Sequence, residues 1–148
     1  MKLGYVLPTF DDGVDWLDAK PSPADAQDAV TLVHFWSSRC PLCHAGAHEI
    51  ARWRRRFGDR LRVIAFYQPR PDESASAADV RHDARDHMAI DYPYAFDESG
   101  EVARRFDSEF APSYFLFDRS GRLRHRQMGN AELASVAALI ERLSVKAS

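Results

Sequence analysis

The sequence predicts one α/β domain of three layers, in which helices cover both faces of a mixed β-sheet. Its 148 residues suit a single core. Short β-branched or aromatic runs alternate with longer segments of helical spacing, the pattern of strands joined by helices. Two further runs near the carboxyl end are separated only by a turn sequence, which adds antiparallel pairing and makes the sheet mixed.

The first strand is predicted after a segment without clear periodicity. Residues 1–29 contain several prolines and aspartates, and we expect an irregular extension or a short hairpin near Trp16 and Leu17. Residues 31–36 (Thr-Leu-Val-His-Phe-Trp) then form a short, mainly apolar run bounded by polar residues. This run predicts a buried strand.

A helix is predicted over residues 41–57. Pro41 suits the first turn, where no N–H is needed, and Gly58 ends the helix. The apolar residues recur on one face, which comprises Cys43, Ala47, Ile50, Trp53 and Phe57.

The remaining sequence continues the alternation of strands and helices. The predicted elements are a strand at 61–67, a loop at 68–75, a helix at 78–88, an extended segment at 92–95, a helix at 100–106, strands at 113–117 and 123–128, and a helix at 131–143. Residues 118–121 (Asp-Arg-Ser-Gly) form the turn between the last two strands.

Charge and hydropathy exclude some partners. With a net charge of −2, the chain predicts neither a nucleic-acid nor a membrane partner. The first residues lack the apolar core of about 7–15 residues that an export signal needs, so we expect a cytoplasmic location. Disulfides in that compartment are mostly transient and catalytic.

The two cysteines, Cys40 and Cys43, lie at the start of the predicted helix. A helix N-terminus stabilises a thiolate, so we expect Cys40 to have a lowered pKa and a partly exposed sulfur. Cys43 follows one turn later on the inner side, from where it can attack a mixed disulfide formed by Cys40. The spacing therefore favours a redox-active dithiol.

Three other interpretations of this motif remain open. Residues 40–44 have the spacing of covalent haem attachment, which requires an export route. A metal ion bound by Cys40, Cys43, His44 and His48 is a second interpretation, although the four side chains do not easily converge. Two inert structural thiols are the third. The redox interpretation is preferred, and it calls for no cofactor and no metal.

Residues 35–43 (Phe-Trp-Ser-Ser-Arg-Cys-Pro-Leu-Cys) resemble the active-site segment of thioredoxin-like proteins. Residues 111–118 (Ala-Pro-Ser-Tyr-Phe-Leu-Phe-Asp) resemble the segment that carries their cis-proline, and residues 77–96 leave room for an extra βα unit. That insertion resembles the TlpA/ResA branch, and within it the small cytoplasmic YkuV type. The resemblance implies a thioredoxin fold with an extra βα insertion and a thiol–disulfide oxidoreductase activity.

The resemblance also implies roles for individual residues. Pro112 would be cis beside the cysteines, and the main chain of Ala111 would pair with a substrate peptide. Trp36 would cover the site, as a packing residue or a substrate contact. The other residues placed at the substrate surface are Arg39, Pro41 and Leu42. Arg39 replaces the tryptophan of thioredoxin, and its charge would lower the pKa of Cys40.

His34 occupies the strand position where thioredoxin has a buried aspartate that helps the second cysteine lose its proton. It lies two residues before Trp36 and points to the same side of the strand. His34 is therefore either a general base for Cys43 or a core histidine without a catalytic role.

The sequence predicts a monomer that exchanges disulfides with protein substrates, as a reductant recharged by another dithiol protein. One alternative is a non-enzymatic thioredoxin-like binding module, and another is a client-specific reductant for cytochrome c maturation. A peroxidase is a third alternative, but Ser37 stands where its usual threonine is expected, three residues before Cys40.

Overall fold

The computed structural model describes residues 1–10, 14–22 and 28–145. Within them, six strands form one sheet in the order β1-β4-β3-β2-β5-β6. The elements are β1 (Asp15–Trp16), β2 (Val30–Trp36), α1 (Pro41–Phe57), β3 (Leu61–Tyr67), α2 (Ala77–Asp86), β4 (Tyr94–Phe96), α3 (Glu101–Phe106), β5 (Ser113–Phe117), β6 (Leu123–Met128) and α4 (Leu133–Ser144).

Strand β2 occupies the centre of this sheet. It runs parallel to β3 and antiparallel to β5, and all of its side chains are buried. Trp36 at its carboxyl end pairs with Tyr67, and Phe35 pairs with Ser113 at the start of β5. The ends of β2 and β3 and the beginning of β5 therefore meet at one edge of the sheet.

The side chains of β2 alternate between two apolar layers. Leu32 and Trp36 face α1, α2 and α4, whereas Val33 and Phe35 face α3 and the amino-terminal segment around Phe10. Because both faces are covered, β2 is mainly apolar, with Thr31 and His34 as its buried polar residues, and does not alternate between polar and apolar positions. The predicted three-layer α/β architecture with a mixed sheet is confirmed.

Helix α1 has the predicted bounds. Its buried face contains the five residues expected from helical spacing, together with Gly46. Gly58 ends the helix with a φ of 54°, in the left-handed region that favours glycine, and its N–H donates to the carbonyl of Arg54.

One prediction for the amino-terminal segment differs from the structure. Strand β1 pairs antiparallel with β4, so the hairpin expected near Trp16 and Leu17 is wrong. The pairing partner lies far along the chain, where local sequence patterns cannot reveal it. The expectation for residues 11–13 and 23–27 lies outside the described residues. Across the described ranges, none of the helices has the length and apolar character needed to cross a membrane.

Candidate active site

Cys40 and Cys43 lie where β2 has ended and α1 begins, and a disulfide joins them with their Cα atoms 5.2 Å apart. Cys40 is the N-cap residue of α1, and its Sγ accepts a hydrogen bond from the main-chain N–H of Cys43 at 3.2 Å. An N–H group at a helix start that points at sulfur stabilises negative charge there. After reduction, this arrangement favours the thiolate of Cys40.

The two cysteines differ in accessibility. Cys40 is 8% exposed and Cys43 is 2% exposed. Pro41 and Leu42, between them, are exposed on the surface of the first helical turn. An incoming thiol or disulfide therefore reaches Cys40 first, and Cys43 lies behind it.

The loop before Cys40 is held by the last residue of β3 and by residues that follow this strand. The guanidinium of Arg70 donates to the carbonyl oxygens of Ser38 (2.7 Å) and Arg39 (3.0 Å). The hydroxyl of Tyr67 accepts from the Ser38 N–H at 3.2 Å and also contacts the Glu73 carboxylate. Burial and the Glu73 hydrogen bond raise the pKa of Tyr67 to about 12. These bonds fix the backbone on which Arg39 presents its exposed side chain.

The loop before β5 forms the opposite side of the site. The Ala111–Pro112 peptide bond is cis, and the carbonyl of Pro112 accepts a hydrogen bond from the Gly129 N–H at 2.7 Å. Within the described part of the chain, the main chain of Ala111 makes no hydrogen bond. Its N–H and carbonyl are therefore available to pair with an extended peptide.

Three polar side chains support that loop from behind. The Ser108 hydroxyl lies 2.7 Å from both Gln68 Oε1 and the Ser113 hydroxyl. The amide of Gln68 donates to the Ser108 carbonyl at 2.8 Å. The end of β3 and the start of β5 are thereby joined across the edge of the sheet where the cysteines lie.

Trp36 is a buried packing residue. It has no exposed surface, and its indole N–H donates to Oδ2 of Asp83 on α2 at 2.9 Å. The other carboxylate oxygen of Asp83 lies 2.9 Å from His87 Nδ1. Because substrate cannot touch a fully covered ring, the assignment of Trp36 to the substrate surface is not supported. No local pattern singles out Asp83, since an acidic residue on an amphipathic helix normally faces water.

His34 is enclosed among aromatic rings. Its Nε2 lies 2.9 Å from the Tyr92 hydroxyl, and its ring stacks on Tyr114 with centroids 6.4 Å apart. Burial lowers the pKa of His34 to about 3. An imidazole that weakly basic is a poor acceptor for a thiol proton, so the geometry favours a core histidine over a general base.

The two histidines next to the cysteines differ in environment, and Nε2 of His44 is buried without a hydrogen bond to any described residue. The ring of His44 stacks on that of His87 with centroids 5.7 Å apart, and His48 is exposed. Cys40 and Cys43 are bonded to each other. Among the residues described, no group of three or more His, Cys, Asp or Glu side chains is arranged to hold a metal ion.

Removing the Asp83 carboxylate should destabilise the protein through Trp36. In Asp83→Ala the buried indole N–H loses its acceptor, which costs about 1–3 kcal/mol of unfolding free energy. Urea unfolding followed by tryptophan fluorescence measures this loss. Asp86→Ala, on the same helix but exposed, is the matched control and should change stability much less. Equal losses in the two variants would contradict the role of the Trp36–Asp83 bond.

The depressed pKa of His34 predicts that acid destabilises the fold. Between the unfolded pKa near 6.5 and the folded pKa of about 3, the unfolded chain binds the extra proton. Stability is therefore lost as the pH falls through this window. From pH 7.5 to pH 5, His34 should account for about 2 kcal/mol, measured as the difference between wild type and His34→Gln in urea unfolding.

Parallel pH dependences in wild type and His34→Gln would disprove this assignment. The same variant also tests the general-base hypothesis, because a core histidine leaves the rate of mixed-disulfide resolution unchanged. A large fall in the resolution rate, measured under conditions in which His34→Gln is fully folded, would instead support a catalytic role for His34.

Comparison with known proteins agrees with this geometry. A model of the AhpC/TSA family matches residues 7–126. The chain is 28% identical over 144 residues to the thiol-disulfide oxidoreductase YkuV of Bacillus subtilis (strain 168), and 97% of each protein is covered. It is similar to a thioredoxin-like protein solved in solution in the oxidized form, with a TM-score of 0.82, 28% identity and 97% of both chains covered. A thiol-disulfide isomerase from Corynebacterium glutamicum shares the fold at a TM-score of 0.72 and 22% identity, covering 99% of this chain and 97% of that one. The chain therefore belongs to the AhpC/TSA family, and it is a thiol–disulfide oxidoreductase of the thioredoxin-like type.

Proposed function

We propose that this protein reduces disulfides in other proteins, with Cys40 as the attacking residue and Cys43 as the resolving residue. The observation that carries this assignment is the N-cap position of Cys40, whose sulfur accepts the Cys43 N–H and which is 8% exposed as a residue against 2% for Cys43. A thiolate stabilised at a helix start is the nucleophile that disulfide exchange requires.

The reaction takes place in two exchanges. The Cys40 thiolate attacks one sulfur of a substrate disulfide, a Cys40–substrate bond forms, and the other substrate sulfur leaves as a thiolate that takes up a proton. Cys43 then loses its proton and attacks Cys40 Sγ, so that the Cys40–Cys43 disulfide forms and the second substrate thiol leaves. Two electrons have passed to the substrate, and a second dithiol protein returns the pair to its reduced form.

The substrate is an extended peptide segment that carries the disulfide. The free main-chain groups of Ala111 support this choice, because they can pair with a peptide irrespective of its sequence. Leu42 and Phe110 are 53% and 55% exposed, respectively, near the two loops of the site. They offer apolar surface to side chains beside the substrate cysteine, whereas Arg39 adds a cation at the rim.

Single cysteine variants test the division of roles. Cys43→Ser should accumulate a stable mixed disulfide between Cys40 and a protein substrate that contains disulfides, such as insulin, because no resolving thiol remains. Cys40→Ser, the matched control, should accumulate none, since the buried Cys43 is not reached. Mass spectrometry of acid-quenched mixtures identifies the adducts.

Equal adduct formation by both variants would contradict the assigned roles. A wild-type protein that binds the substrate without accelerating its reduction would instead favour the binding-module alternative. Rapid turnover with hydroperoxide and none with protein disulfides would favour the peroxidase alternative.

We propose further that the protein works as a reductant in the cytoplasm. A reductant of this kind should have a reduction potential near that of thioredoxin, about −270 mV, measured by equilibration with glutathione and trapping of free thiols. A potential closer to about −120 mV would identify a disulfide donor and would contradict the reductant role.

A further inference from the structure

Asn130 makes a direct hydrogen bond to the segment between the two cysteines. It lies in the connection between β6 and α4, and its Nδ2 donates to the carbonyl oxygen of Leu42 at 2.7 Å. A side chain from a segment 88 residues away in sequence thus contacts the turn whose shape determines how Cys40 and Cys43 meet.

The orientation of the Asn130 amide is determined by its second partner. Its Oδ1 accepts a hydrogen bond from the Tyr114 hydroxyl at 2.7 Å. Tyr114 is 2% exposed and its hydroxyl lies against Gly46 on α1, where a Cβ would overlap it. The carbonyl of Leu42 can only accept, and the Tyr114 hydroxyl donates, so the amide nitrogen must face Leu42.

The connection that carries Asn130 is itself fixed. The Gly129 N–H donates to the Pro112 carbonyl at 2.7 Å. The Gln127 side chain donates to the carbonyls of Gly129 (2.8 Å) and Ala131 (2.9 Å). The dipeptide of Gly129 and Asn130 therefore bonds to both sides of the active site, the Pro112 loop and the turn between the cysteines.

We propose that Asn130 is a positioning residue that holds the turn of Pro41 and Leu42 in the shape in which Cys43 reaches Cys40. This turn begins helix α1 and is restrained by the helical backbone, as by the bond from the His44 N–H to the Cys40 carbonyl, but both of its side chains are exposed and add little packing. The hydrogen bond from Asn130 holds the Leu42 carbonyl in one direction, whereas water could bond to this carbonyl from many directions. The proposal rests on the exchange reaction described above, since it concerns the step in which Cys43 displaces substrate from Cys40.

A turn that is held in place raises the effective concentration of Cys43 at the mixed disulfide. Losing the restraint should therefore slow the formation of the Cys40–Cys43 bond and the departure of the substrate thiol. It should also weaken the intramolecular disulfide relative to the dithiol. One hydrogen bond of ordinary net strength corresponds to an effect of about 2- to 10-fold.

The test compares Asn130→Ala with wild type in two equilibria and one rate. We expect the equilibrium constant for disulfide formation against glutathione to fall about 2- to 10-fold, and the mixed disulfide with a model peptide to last longer by a similar factor. Urea unfolding of the oxidised and the reduced protein supplies an independent check. The unfolding equilibrium constant should rise more in the oxidised form than in the reduced form. The ratio of the two changes should equal the fold-change in the glutathione equilibrium constant.

Gln127→Ala is the matched control, because Gln127 stabilises the same connection without contacting Leu42. We expect it to lower both unfolding free energies equally and to leave the glutathione equilibrium within a factor of two. Asn130→Asp keeps the acceptor for Tyr114 but replaces the donor to Leu42 by an oxygen that repels the Leu42 carbonyl, so its effect should be at least as large as that of Asn130→Ala.

Equal loss of stability in the oxidised and reduced forms of Asn130→Ala, with an unchanged glutathione equilibrium, would overturn the proposal and leave Asn130 a purely structural residue. An effect of Gln127→Ala as large as that of Asn130→Ala would overturn it too. Neither result affects the exchange function itself, which the cysteine variants test separately.

Discussion

The central position of β2 is the constraint on which the other features of the structure depend. Because β2 is buried on both faces, its sequence is mainly apolar and its buried His34 needs a partner inside the protein, while β3 and β5 run beside it along most of its length. Its carboxyl end therefore lies at a sheet edge shared with the end of β3 and the beginning of β5. Helix α1 begins only a short loop later, which places a helix N-terminus and its first cysteine at this edge.

Buried polar groups connect this edge to distant parts of the chain. A buried donor or acceptor without a partner costs free energy, which favours pairing of buried polar groups. Trp36 uses Asp83 on α2, His34 uses Tyr92 before β4, and Tyr114 uses Asn130 before α4. The apolar layer beneath the cysteines is thereby held by directional bonds to three segments that are separate in sequence.

The α2–β4 unit contributes to both the sheet and the site. Strand β4 extends the sheet beside β3 and provides the partner for β1. Helix α2, which covers the same face as α1, supplies the carboxylate for Trp36. An insertion of this kind changes the surroundings of the dithiol without altering the junction of strand and helix that presents it. The thiol chemistry and its environment are therefore encoded by different segments.

Much of the fold and the centre of the site could be predicted from local sequence. The bounds of α1, β3, β5 and β6 were predicted as they occur, because hydrophobic period and terminal Pro and Gly residues are local signals. The predicted redox pair, Cys40 and Cys43, is bonded in the structure because a strand, a short loop and a helix start are adjacent in sequence.

The tertiary structure alone decided which polar residues accompany the cysteines. Asp83, Asn130 and Gly46 look ordinary in sequence, since their importance comes from partners far along the chain. The pairing of β1 with β4 was likewise missed, because strand pairing depends on where the chain returns to the sheet. For His34, sequence identified the position, but only burial among aromatic rings lowers its pKa to about 3 and disfavours a base. Local patterns therefore determined the strands, the helices and the dithiol, whereas desolvation and long-range hydrogen bonding determined the environment in which the dithiol acts.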